Sequence, residues 1–181
     1  MQLSFKFNDN HYYNSTSFNI STYNIINIVL EVYDMAYDIR ELFARVIKCE
    51  AGGEGDNGMK AVATVIMNRV HIPNGEYFRV CQGDLRKVLN QPGQFDCMSS
   101  VIGGRPNPQT IWSNPPEEIH YYIADWALAG NKLLGCGWAL WYFNPFMPTC
   151  PQTFPRNGTG SFAVRIGQHC FYNPTELYYL T

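Results

Sequence analysis

The stretch KCEAGGEGDNGMKAVATVIMNRV, residues 48–70, constrains this chain more than any other. Upstream of it, Ile39, Leu42, Phe43, Val46 and Ile47 recur at i, i+3, i+4, i+7 and i+8, which predicts a helix over 35–49 with one apolar face. Gly52 and Gly53 can adopt the left-handed conformation that commonly closes a helix, so the first helix is expected to stop there. A second helix follows, with Asp56 or Asn57 as its N-cap and Met59, Val62, Ala63, Ile66, Met67 and Val70 on its apolar face. Two amphipathic helices joined by a short glycine turn must pack stripe to stripe. That turn also holds two carboxylates, Glu50 and Glu54, whose roles the rest of the chain has to decide.

Further along, GDLRKVLNQPG reads as a short helix stopped by Pro92 and Gly93. SNPPEEIHYYIADWALAG carries the clearest helix signal, with Asn114 as N-cap, Pro115 at the first helical position and Glu117 able to reach back as in a capping box. Ile119, Tyr122, Ile123 and Trp126 form its expected buried face, and Gly130 its stop. After residue 136, WALWYFNP and FAVRIGQHCFY are short, aromatic or β-branched, and bounded by Pro and Gly, which predicts strands or extended loops. The fold class is therefore α+β, a helical body with a loop-rich aromatic C-terminal third. Residues 1–33 are rich in Asn, Ser, Tyr and Ile, and are expected to form an extension, with YNIINIVLEVY a candidate strand. Residues 34–181 then form one domain.

A chain of 181 residues with 46% hydrophobic and 15% charged residues can bury one sizeable core. A net charge of −2 supplies no broad basic surface, which argues against nucleic acid as a partner. No apolar run reaches the ~18 residues that would predict a membrane span. The first twenty residues lack a basic segment followed by an apolar one, so no secretory signal is expected. Aromatic side chains make up 15% of the sequence. They can fill a core, and they are equally what a carbohydrate cleft uses to stack on sugar faces. The six cysteines show no C-x-x-C pair, and in a chain without an export signal buried free thiols are the expected state.

Few chemistries survive. The four histidines form no metal-ligand spacing, and no phosphate-binding glycine loop or G-x-S-x-G elbow occurs, so neither a metal nor a cofactor is expected. A thiol–imidazole pair of Cys49 and His169 stays open, as does a core position for that cysteine. Of the carboxylates, Glu50 comes off a buried helical face at a helix C-terminus, where the dipole disfavours negative charge. That setting suits a general acid holding its proton near neutrality. Glu54 lies past the glycines, near the next helix N-terminus, where an ionised carboxylate is stabilised. Both residues could still be solvated turn glutamates.

The stretch from Ala44 to Val70 resembles the signature of spore cortex-lytic, SleB/CwlJ-type cell-wall hydrolases, roughly A-R-x-I-x-x-E-A-x-G-E followed by an A-V-A-x-V-x-x-N-R-V helix. NQPGQF at 90–95, ALWYFNP at 139–145 and RIGQHCFY at 165–172 match further blocks in the same order. The resemblance covers about residues 40–172. It departs at Gly52, where many relatives carry Arg. It implies a lysozyme-like domain, similar to goose-type lysozyme and resuscitation-promoting factors, that cuts peptidoglycan between N-acetylmuramic acid and N-acetylglucosamine. It also implies a lytic transglycosylase in which one glutamate, here Glu50, acts first as acid and then as base, without the partner carboxylate of most glycosidases. Glu54 becomes a supporting or turn-stabilising residue. Gln91, Gln94, Phe95, Tyr142 and Asn144 are the expected cleft residues, because amides and rings suit N-acetyl groups and sugar faces.

By the same resemblance the protein is made in the mother cell and placed at the spore coat–cortex boundary, beside cortex peptidoglycan and a spore-coat partner. A cysteine-dependent peptidoglycan amidase or peptidase and a non-catalytic cortex-binding coat protein are the rival readings. Whether the product is anhydro or hydrolysed stays open.

Overall fold

The computed structural model describes residues 37–181. The expected N-terminal extension, its candidate strand and the boundary after residue 33 lie outside the described residues. Helix α1, Ile39–Ala51, starts where Asp38 accepts a hydrogen bond from the Glu41 amide at 2.8 Å. It runs two residues beyond the expected end, which places Glu50 inside its last turn. Gly52 keeps right-handed torsions; the left-handed residue of the turn is Gly55, at φ +72°. Helix α2, Gly55–His71, therefore starts with Glu54 at the N-cap position, earlier than expected, and Asp56 instead pairs with Lys60 at 2.6 Å one turn on.

Helix α2 lies at the centre of the described domain. Its sequence pattern predicts one apolar face, yet nearly every side chain from Met59 to Val70 is buried. The reason is that other helices and the sheet surround it, as expected of a helix apolar on most of its circumference. Two short helices follow: α3, Gly75–Cys81, which the sequence pattern does not predict, and α4, Leu85–Leu89, the short helix expected before Pro92, capped by Asp84.

Helix α5, Glu118–Leu128, packs on α1 and α2. It begins later than expected, since Lys48 holds the Pro115 carbonyl at 2.8 Å and the Glu117 carboxylate at 2.9 Å, keeping that segment outside the helix. Glu117 is itself the N-cap, and its capping-box partner is His120, whose Nδ1 accepts from the Glu117 amide at 3.0 Å. The buried face is correspondingly rotated to His120, Ile123, Ala124 and Ala127, while Ile119 and Tyr122 are exposed. The two alanines let the helix approach its neighbours closely.

A two-residue hairpin, β1 (Val101–Ile102) with β2 (Arg105–Pro106), precedes α5. The C-terminal third forms a three-stranded antiparallel sheet, β3 (Trp141–Phe143), β4 (Gly160–Ile166) and β5 (His169–Pro174), in the order β3-β5-β4. FAVRIGQHCFY is thus most of a hairpin. Cys150 and Cys170 form a disulfide that fastens the loop after β3 to β5, which corrects the expectation of free thiols throughout. Pairing across twenty residues depends on Cα atoms brought to 5.8 Å by the sheet, and spacing along the chain does not encode it. The other four cysteines are free.

Candidate active site

The last turn of α1 points the Glu50 carboxyl at the middle of β3. There the Tyr142 hydroxyl donates to Glu50 Oε2 at 2.8 Å, and the Cys97 thiol lies 3.8 Å from Oε1. Burial holds the Glu50 carboxyl above its usual pKa, and the field of Asp96 adds to this. The Tyr142 hydrogen bond, the Arg69 charge and the Cys97 thiol act the other way without cancelling it. The Tyr142 hydroxyl is itself raised well above the usual phenol value, by burial and then by the neighbouring Glu50 charge, so it remains a donor.

Tyr142 is held from behind by consecutive residues of α2. Asn68 Nδ2 donates to the Ala139 carbonyl at 3.0 Å and Arg69 Nε to the Leu140 carbonyl at 2.8 Å. Only 2% of Arg69 is exposed. Its guanidinium sits 5.0, 5.7 and 5.9 Å from the ring centroids of Tyr77, Phe95 and Tyr142. A buried cation near the acid favours the carboxylate that forms once Glu50 has given up its proton.

Glu54 lies in a different environment. Its Oε2 accepts the Gln168 amide at 2.7 Å, in the turn between β4 and β5, and His169 Nδ1 stands 3.8 Å away. Gly167 in that turn has φ +58°, and a Cβ there would collide with the Glu54 carboxylate. Burial lowers the His169 pKa, against the opposing pull of Glu54, so neutral imidazole is favoured. The His169 ring meets the Tyr142 ring edge to face, with centroids 5.4 Å apart.

Of the expected cleft residues, Tyr142 alone hydrogen-bonds Glu50. Phe95 is buried against Arg69 and offers no free face for stacking. Gln94 Oε1 accepts the Tyr77 hydroxyl at 3.1 Å. The Gln91 side-chain oxygen is buried without a partner. Asn144 joins the Gln168 side chain at 3.1 Å and the Phe146 amide at 2.8 Å, on the Glu54 side of the sheet turn.

Arg69, Asp96 and Cys97 escaped the sequence reading as members of this site. The first was detectable as an arginine within the apolar run of α2. The contacts of His169 go to Glu54, Tyr142 and Phe171, and the free Cys97 thiol donates a hydrogen bond to Cys49, which lowers the Cys49 thiol pKa. Among the described residues no group of three or more His, Cys, Asp or Glu side chains is arranged to hold a metal, and no helix is long and apolar enough to cross a membrane.

Residues 53–172 match the Cell Wall Hydrolase family, about two thirds of the chain. The chain belongs to that family. The match begins three residues after Glu50 and includes Glu54, Arg69 and Tyr142. Family members similar to this chain include the cell wall hydrolase CwlJ of Halalkalibacterium halodurans, 27% identical over 136 residues, which are 75% of this chain and 85% of that protein. CwlJ of Bacillus subtilis is 27% identical over 135 residues, 75% of this chain and 84% of that one. Among solved structures, the catalytic domain of the germination-specific lytic transglycosylase SleB from Bacillus anthracis superposes with a TM-score of 0.55 at 25% identity. The superposition covers 76% of this chain and 97% of the SleB domain. Family and fold agree with the expected cell-wall hydrolase of α+β class.

Proposed function

We propose that this cell wall hydrolase cleaves the glycan strand of peptidoglycan between N-acetylmuramic acid and N-acetylglucosamine, as a lytic transglycosylase with Glu50 as its acid and base. The observation that carries the proposal is the Glu50 carboxyl, raised in pKa by burial and oriented by Tyr142. Tyr142 donates to Oε2 and the Cys97 thiol approaches Oε1, and the carboxyl proton held between these contacts is the one delivered to the glycosidic oxygen. As the bond to that oxygen breaks, positive charge develops at the muramic C1, and Glu50 becomes a carboxylate. The Tyr142 hydroxyl and the Arg69 charge both favour that ionised state. Glu50 then takes the proton of the muramic C6 hydroxyl as its oxygen bonds to C1, which closes a 1,6-anhydro ring and restores the acid. One proton enters and one leaves, and no second carboxylate is required.

The substrate proposed is spore-cortex peptidoglycan, with the protein placed at the coat–cortex boundary and a coat protein as its partner. Support comes from the likeness to CwlJ and to a germination-specific transglycosylase. The test digests purified cortex with wild type and Glu50→Gln and analyses the muropeptides by mass spectrometry. Anhydro-muropeptides from wild type alone are expected. Equal release by both proteins removes Glu50 from the role. Hydrolysed ends that depend on Glu50 keep the acid but replace the C6 hydroxyl with water.

A further inference from the structure

On another part of the fold lies a pocket of about 580 Å³, lined by Asn68 and Ile72 near the end of α2, by Lys132, Trp138 and Leu140 before β3, and by Asn173 of β5. Glu50 and Tyr142 do not line it. The side-chain oxygens of Asn68 and Asn173 are both buried without a hydrogen-bond partner. Asn68 is 5% exposed, and its amide nitrogen is already committed to the Ala139 carbonyl, so the oxygen is the group left over. A buried acceptor without a donor is costly, so both asparagine side chains of the pocket wall carry an unmet hydrogen-bonding demand. Trp138 is 76% exposed, unusual for the largest apolar side chain, and the Lys132 ammonium stands 5.3 Å from its ring centroid. Ile72 and Leu140 supply an apolar floor.

These groups specify a ligand. It needs a flat apolar face for the indole, amide or hydroxyl groups for the asparagine side chains of the wall, and a negative group for the ammonium. Its size falls within the range of small-molecule sites, larger than a single ion. We propose that this pocket is an accessory subsite for an N-acetylated amino-sugar segment carrying a carboxylate, such as a muramic residue of the strand. The assignment rests on the glycan reading of the Glu50 site. It adds a second anchoring point at which the strand is held without being cut. Asn68 connects the two, because this residue of the pocket wall also holds the backbone leading to Tyr142.

The test uses the full chain as Glu50→Gln, so that no cleavage confounds binding, with Lys132→Ala added in a second protein. The indole N–H resonance of Trp138 is assigned by its loss in Trp138→Phe. It is then followed by NMR during titration with tri-N-acetylchitotriose, with the disaccharide N-acetylglucosaminyl-N-acetylmuramic acid, and with cellotriose. Both N-acetylated ligands should shift the signal to saturation, and cellotriose should not. Lys132→Ala should weaken the muramic disaccharide about five-fold and leave chitotriose unchanged, as removal of one exposed charge pair predicts at the upper end of its range. A Trp138 signal unmoved by either N-acetylated ligand, or moved equally by cellotriose, overturns the subsite. Both mutated side chains are exposed, so folding is not at stake. Failure of the glycosidase reading appears separately, as equal anhydro-product release by wild type and Glu50→Gln.

Discussion

Glu50 and Glu54 stand four residues apart, yet the two carboxyl groups sit in contrasting environments. Glu50 closes one helix, accepts a tyrosine hydroxyl and is pushed toward its protonated form by burial. Glu54 opens the next helix and spends its carboxylate on a backbone amide 114 residues away, in the turn between β4 and β5. Two extra residues of α1 and one left-handed glycine separate a buried carboxyl pushed toward its protonated form from one that clamps a backbone amide. The same residue type thus acquires its chemistry from what the fold packs against it, and hardly at all from its neighbours in sequence.

The sharpest way to break this contrast is to exchange the acids for amides one at a time. Glu50→Gln should lower the rate of cortex cleavage by about 10³-fold, within the usual range for loss of a general acid, in a muropeptide release assay. Glu54→Gln in the same assay should cost only several-fold, with thermal unfolding showing a loss of about 1–2 kcal/mol from the weakened turn contact. Equal losses from the two substitutions would erase the asymmetry.

Tyr142→Phe probes the Glu50 side more finely and should slow cleavage about 10–10²-fold. Its hydrogen bond lowers the Glu50 pKa, so its removal should move the alkaline limb of the pH–rate profile upward. A downward move would show that the tyrosine does not stabilise the carboxylate. Arg69→Met should move the same limb in the same direction by removing a nearby positive charge, with loss of stability as the Leu140 carbonyl loses its donor.

The smallest effect is on stability. Because the Glu50 pKa is raised on folding, the folded state binds this proton more tightly than the unfolded chain does. The stabilisation from this linkage is complete below the unfolded carboxyl pKa and is lost as pH rises through the folded one. Glu50→Gln should therefore match wild type in acid and unfold at a higher temperature than wild type in alkaline solution. Thermal scans across that pH range would check the crossover, and a variant less stable at every pH would contradict it.

Much of the helical body is readable from local pattern. The periodicity of Leu42, Phe43, Val46 and Ile47 places α1, and Asp84 with Leu85, Val88 and Leu89 marks α4, because helical burial repeats on a scale of three to four residues. The faces of α2 and α5 are less readable. Whether Tyr122 or Ala124 turns inward depends on where the helix begins, and Lys48 decides that from seventy residues upstream. Membership of the site shows the same division. Glu50 is suggested by its place at the end of a buried face, whereas Arg69 and Cys97 join it only because α2 and the segment after α4 converge there.

The sequence by itself determined the two helices around the glycine turn, the aromatic strands that follow and the family to which the chain belongs, since these rest on short-range spacing and residue type. Tertiary structure alone decided that Tyr142 reaches Glu50, that Glu54 grips Gln168, and that Cys150 bonds Cys170. Each of those contacts joins distant segments, and its existence depends on strand register and helix packing, quantities that no local pattern in the chain specifies.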